Sequence, residues 1–151
     1  MFNRETMQAT GKVNVALYGK NGNLKHEQTI NNLVVDDGLD YISSRMKDTT
    51  ETAMSHMEVG TGTTSPVAGD TALETAIAGS RVSLTSTTVT SNAIEYVGDF
   101  PAGTGTGAVT EAGVFNDSSA GTLLCRTVFS VVNKGADDTL KITWTVTVSD
   151  S

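Results

Sequence analysis

The chain is short of most residue types that would settle its class at once. Its single cysteine, Cys125, excludes an internal disulfide. Its only histidines, His26 and His56, have no Cys or His at metal-ligand spacing. Aromatic residues make up 5% of the chain, too few for the stacking platforms that sugar-binding sandwiches usually present, and the one tryptophan, Trp144, falls on an apolar face. No apolar run approaches the roughly 20 residues of a membrane span. The opening MFNRETMQATGK lacks the apolar centre of a signal peptide, so the protein is expected to be made and used inside a cell or in particles assembled there. Positive charge is scarce as well: 10 Lys and Arg stand against 17 Asp and Glu, for a net charge of −7. A nucleic-acid binder needs a basic stripe to displace counterions from phosphates. The scattered cations here argue against DNA, RNA or an anionic membrane as partner.

What the chain has in quantity is threonine. A β-branched side chain suits the pleated, half-wet face of a sheet. With 151 residues the chain is long enough for one domain with a sizeable core and no need of a metal or disulfide.

Residues 1–11 are polar, with Phe2 and Met7 isolated among them, and read as an N-terminal arm; residues 12–151 read as a single β domain. Val13, Val15 and Leu17 alternate with polar neighbours, and Asn21-Gly22 marks a hairpin turn before a returning strand over Leu24 to Ile30. Asp36-Asp37-Gly38 precedes Leu39, Ile42 and Met46, a spacing that predicts one short helix with acidic residues at the positive end of its dipole. Met57 to Val59 fits a short strand, and Thr71 to Ile77 a helical turn or irregular edge. From Ser80 on the pattern is β throughout: Val82 to Val89, a turn at Ser91-Asn92, Ala93 to Phe100, Thr110 to Asn116, Leu123 to Val131, and a last strand with Leu140, Ile142, Trp144, Val146 and Val148 on one face. Burying each of those five side chains contributes at most about 1.5–3 kcal/mol. Seven or eight strands between turn clusters predict an all-β, antiparallel β-sandwich, jelly-roll-like, with one short helix.

Candidate chemistry is thin. Gly60-Thr61-Gly62-Thr63-Thr64 and Gly103-Thr104-Gly105-Thr106-Gly107 resemble phosphate-cradling loops in composition, yet neither has the lysine or the following helix such a loop requires. Both read as rim loops between strands. Cys125, inside LLCRTVF, reads as a small buried hydrophobe. The clusters Asp36-Asp37-Asp40 and Asp137-Asp138 lack the ligand pattern of a calcium loop and read as capping and turn residues. Glu111 is a lone carboxylate, and a glycosidase needs a second at a set distance. The expectation is no enzyme, no cofactor, no metal and no small-molecule substrate.

Three stretches, HMEVGTGTTSPVAGDTAL, FPAGTGTGAVTEAGVFNDSSAGTLLCRTVF and VNKGADDTLKITWTVTVS, resemble a group of small structural proteins of tailed bacteriophages, and NLVVDDGLDYISSRM is similar to that group's upstream helix. Together they cover most of residues 31–149. Members serve as head decoration (cement) proteins or as tail-fibre or baseplate components. The resemblance implies a virion protein on the capsid exterior, assembled in the host cytoplasm, that binds the major capsid protein and staples neighbouring subunits, as a homotrimer. The alternatives are a tail component and, from a different class, a carbohydrate-binding sandwich. Free chain ends usually fray; in the polar arm Phe2, Arg4 and Met7 are the residues a partner would hold.

Overall fold

The computed structural model describes residues 5–47 and 51–150. It contains strands β1 (Met7–Tyr18), β2 (Leu24–Val34), β3 (His56–Gly60), β4 (Val82–Ser83), β5 (Ser86–Thr90), β6 (Ala93–Phe100), β7 (Gly107–Phe115), β8 (Leu123–Lys134) and β9 (Thr139–Asp150), with one helix, α1 (Asp36–Met46). Every pairing is antiparallel. The strands form one hydrogen-bonded series in the order β4-β3-β7-β8-β2-β1-β9-β6-β5.

The centre of the series follows from alternation. In β1 and β9 the register sets Val13 opposite Trp144, Val15 opposite Ile142 and Leu17 opposite Leu140, all at 3% exposure or less. The threonines between them, Thr143 and Thr145, stay half-wet. The β1–β2 hairpin closes as its sequence predicts, with one refinement. Only Gly22 takes a positive φ, 80°; the Gly22 N–H donates to Gly19 O (2.9 Å) and the Gly19 N–H to Asn23 O (2.8 Å). Asn21 stays in the ordinary half of φ space, as in a turn completed by one left-handed glycine. β1 starts at Met7, inside the segment read as an arm, and pairs with β9 from that residue on.

The run Val82 to Val89, expected as one strand, divides. Residues 82–83 pair with β3 and residues 86–90 with β6, strands from opposite ends of the series. Between them the Leu84 N–H donates to Ser55 O (2.9 Å) and the Thr85 N–H to Val97 O (2.7 Å). One segment therefore ties both ends together, and the sheet curls around a shared core. That core holds Trp144, Phe100, Leu140, Ile142, Met57, Val59 and Val114, among others. Single-sequence alternation fixes a strand's faces, whereas the choice between two neighbours is tertiary.

Helix α1 lies against β8. Of the three residues whose spacing predicts the helix, Leu39 is 47% and Met46 85% exposed, while Ile42 packs partly against the main core. Gly38 and Tyr41 are the buried pair. A Cβ at Gly38 would collide with the carbonyl of Leu124, so only glycine lets the helix backbone approach the strand this closely. The Tyr41 hydroxyl accepts from the Met54 N–H (3.2 Å) and anchors the chain that leaves the helix. Asp36 and Asp37 occupy the first turn, but neither caps it: the N-cap is Val35, which has no side-chain cap.

Candidate interaction surface

The Gly/Thr connection after β3 packs over β7, and this covering explains why β7 is buried on both faces. Ala112 and Val114 face the main core, while Glu111 points the other way, under the loop, at 0% exposure. Its carboxylate accepts the N–H groups of Gly62 (3.0 Å), Glu74 (3.0 Å) and Thr75 (2.7 Å). The Arg126 Nε adds a bond of 2.9 Å, and Nη2 lies 2.8 Å from the same oxygen, close enough for an ion pair though off the hydrogen-bond axis. Arg126 Nη1 reaches on to Asp70 (3.0 Å). A Cβ at Gly60 or Gly62 would overlap the Glu111 carboxylate or the backbone above it. The loop is thus an anion cradle after all, but its anion is a side chain of the same protein. Glu74 reinforces it. The Thr64 hydroxyl first, then the Thr63 and Thr64 N–H groups, hold the Glu74 carboxyl below its usual range.

Arg81 secures the far side of this loop. Its guanidinium lies 3.6 Å from the centroid of the Phe115 ring, pairs with Glu58 (3.2 Å), and donates to the carbonyls of Asp117 (2.9 Å) and Ala120 (3.0 Å). Beneath it, Val35, Leu73, Phe115 and Leu123 form a second apolar cluster. The other glycine-rich connection, residues 101–106, carries left-handed Gly103 and Gly105 and is tied by the Gly103 N–H to Ala136 O (3.0 Å). Lys134, buried beside it, donates to Pro101 O (3.0 Å), and loss of solvent lowers its ammonium pKa. Asp138 fulfils its turn role: its carboxylate accepts the Gly135 N–H (2.8 Å) and Lys25 Nζ (3.0 Å). Those bonds, the backbone one foremost, hold its pKa down.

The remaining titratable candidates do not meet. His26 is exposed on β2 beside Gln28, 3.1 Å away. His56 contacts the Ser55 hydroxyl at 2.8 Å and that of Ser83 at 3.4 Å. Cys125 is fully buried, and burial pushes its thiol pKa well up. Among the described residues, no three His, Cys, Asp or Glu side chains are grouped so as to hold a metal ion, and no helix is long and apolar enough to cross a membrane.

Of the three partner-binding residues expected in the arm, Phe2 and Arg4 lie outside the described residues. Met7 is described and 74% exposed. It forms one wall of a groove of about 530 Å³ whose other walls are Leu39, Ile42 and Met46 of α1 with Val34 and Val148. Three of these, Met7, Leu39 and Met46, are large apolar side chains in contact with water, which in a contiguous patch marks an interaction site. The helix spacing signalled this stripe; the packing of Gly38 and Tyr41 turns Leu39 and Met46 outward, while Ile42 stays half-buried against the core. A second open surface is β5, exposed at all five residues, with Val89 70% exposed. It pairs with β6 on one side.

The chain was compared with protein-family models, with curated proteins and with solved structures, and none of the three comparisons finds a match.

Proposed function

We propose that this protein is a phage capsid decoration (cement) protein, which binds the outer capsid surface and staples neighbouring subunits of the major capsid protein as a homotrimer. The sequence resemblance set out above supports this reading, and the observation that carries it is the exposed apolar groove of Met7, Leu39 and Met46. A patch of that kind on an acidic, threonine-rich exterior suits docking against other protein subunits. On a shell, many modest contacts of this type add up, because neighbouring sites hold each copy at high effective concentration. In this reading the protein has no catalytic role and no cofactor, and Phe2, Arg4 and Met7 belong to the contact. The curled sheet is then read as a jelly-roll-like sandwich, with β2, β1, β9, β6 and β5 as one layer and β8, β7, β3 and β4 as the other. The shared core, drawn from both sets, supports that division.

The test is to add the purified protein to undecorated capsid shells and count bound copies. Saturable binding at many equivalent positions is expected. Failure to bind, or a few copies at one vertex, contradicts the proposal and favours a tail component.

A further inference from the structure

We infer that β5 is an interface between two copies of this chain: its free edge pairs antiparallel with the same edge of a second copy, about a two-fold axis at Thr88. Three observations carry this. The first is that β5 is ordered without being buried. It ends the hydrogen-bonded series and, among the described residues, pairs with β6 alone. All five of its residues are exposed, Val89 at 70%, so neither face is packed. The strand is nonetheless held in place. The Asn92 Nδ2 donates to Val148 O (2.9 Å) and the Val148 N–H to Asn92 O (3.0 Å), which fixes the end of the β5–β6 hairpin against β9. An edge of this kind is a preorganised template for another strand.

The second is the lack of protection. Edge strands are normally blunted by charge, proline, a bulge or shortness. The other end of the series, β4, is only two residues long. β5 runs for five residues, STTVT, with no charge, no proline and no register shift against β6. Its three threonines and its valine are β-branched, which suits an extended partner on the open side.

The third is register, and it selects a second copy as the partner. The turn holds two residues, Ser91 and Asn92, so Thr90 and Ala93 form the hydrogen-bonded pair that closes the hairpin. Alternation along the ladder then turns the N–H and C=O of Thr87 and Val89 away from β6. A two-fold axis at Thr88 sets Thr87 of each copy opposite Val89 of the other, so these outward groups satisfy one another. It also sets Thr88 opposite Thr88 and Ser86 opposite Thr90, hydroxyl pairs of the favourable kind, with no like charges face to face. The net charge of −7 does not oppose this. The acidic residue opposite β5 is Glu95, across from Thr88. The two copies of Glu95 stand three strand spacings apart, about 14 Å, beyond the screening length of about 8 Å at physiological ionic strength. Such a contact is isologous and closes on itself. It uses no groove residue and needs no shell, so it stands or falls separately from the capsid reading.

The experiment oxidises the full chain carrying Thr88→Cys gently and runs it on a non-reducing gel, with Ser86→Cys as the register control; Cys125 is buried and stays in place. Cysteines at position 88 meet across the axis within disulfide reach. Those at position 86 lie four residues apart along the strands, about 14 Å. A covalent dimer is expected from Thr88→Cys and not from Ser86→Cys. The solution mass of the unmodified protein should halve on Thr87→Pro, which removes an outward N–H and leaves the ladder to β6 intact. Circular dichroism checks that the fold is kept. If Thr87→Pro disturbs the hairpin, Thr88→Lys, which sets two like charges face to face on the axis, should halve the mass instead. Equal crosslinking of the two cysteine variants, no covalent dimer, or a solution mass that these substitutions leave unchanged overturns the inference.

Discussion

Glu111 and Cys125 show how far burial alone can redefine a side chain. A carboxylate under a loop becomes structural when three backbone N–H groups and a guanidinium close on it. Replacing this carboxylate by an amide leaves Arg126 with Asp70 as its remaining anion and leaves buried donors poorly matched, which costs about 1–3 kcal/mol. Glu111→Gln should therefore lower stability by that amount in denaturant titrations. The buried Trp144, the only tryptophan, supplies the fluorescence signal. A loss under 1 kcal/mol would mean that the loop does not depend on this carboxylate. Cys125 should react with a thiol reagent only as fast as the protein unfolds. Because its folded pKa is raised, its contribution to stability is full below the ordinary thiol value of about 8.5 and is lost as pH climbs past it. Asp138 has the opposite sign. Its folded pKa is depressed, so its contribution is full above the ordinary carboxyl value of about 3.9 and fades as pH falls. Acid titration of stability should show the gap between the unmodified protein and Asp138→Asn closing below about pH 4.

At the scale of elements, α1 gives the sharpest test. In an exposed helix, Gly→Ala stabilises by about 1 kcal/mol. At Gly38 the added methyl meets the Leu124 carbonyl, and overpacking of that kind costs roughly 1–3 kcal/mol. Gly38→Ala should therefore destabilise the protein in thermal melts, reversing the sign that helix propensity gives. The same element shows what could be read in advance. Its position, length and apolar stripe were legible from Asp36 to Met46, because helical periodicity is local. Which side of the helix faced β8 was not, because that depends on a backbone contact with a strand some 80 residues later. β9, the hairpin at Gly22 and β1 from Val13 on were legible for the same local reason; residues 7–11, read as part of an arm, pair with β9 as the start of β1. The division of residues 82–90 between β3 and β6 was not, since nothing in Val82 to Val89 distinguishes its two neighbours. Glu111 stood in the sequence as a lone carboxylate; its partners come from residues 62, 74, 75 and 126 and meet only when the loop folds over β7.

For the whole molecule, the curled sheet carries an apolar groove beside α1 and an exposed strand, β5, at the margin of the series. In the proposed role a preorganised surface would lose little entropy on binding. Both glycine-rich connections are fastened to the sheet, one through Glu111 and Arg81, the other through Gly103 and Lys134. In its proposed role the molecule touches other virion subunits at many equivalent places on a capsid. The most direct test of that role is the abundance of this protein in purified particles relative to the major capsid protein. A ratio of the same order as the number of capsid lattice positions is the predicted result; a handful of copies per particle, or none, would contradict it.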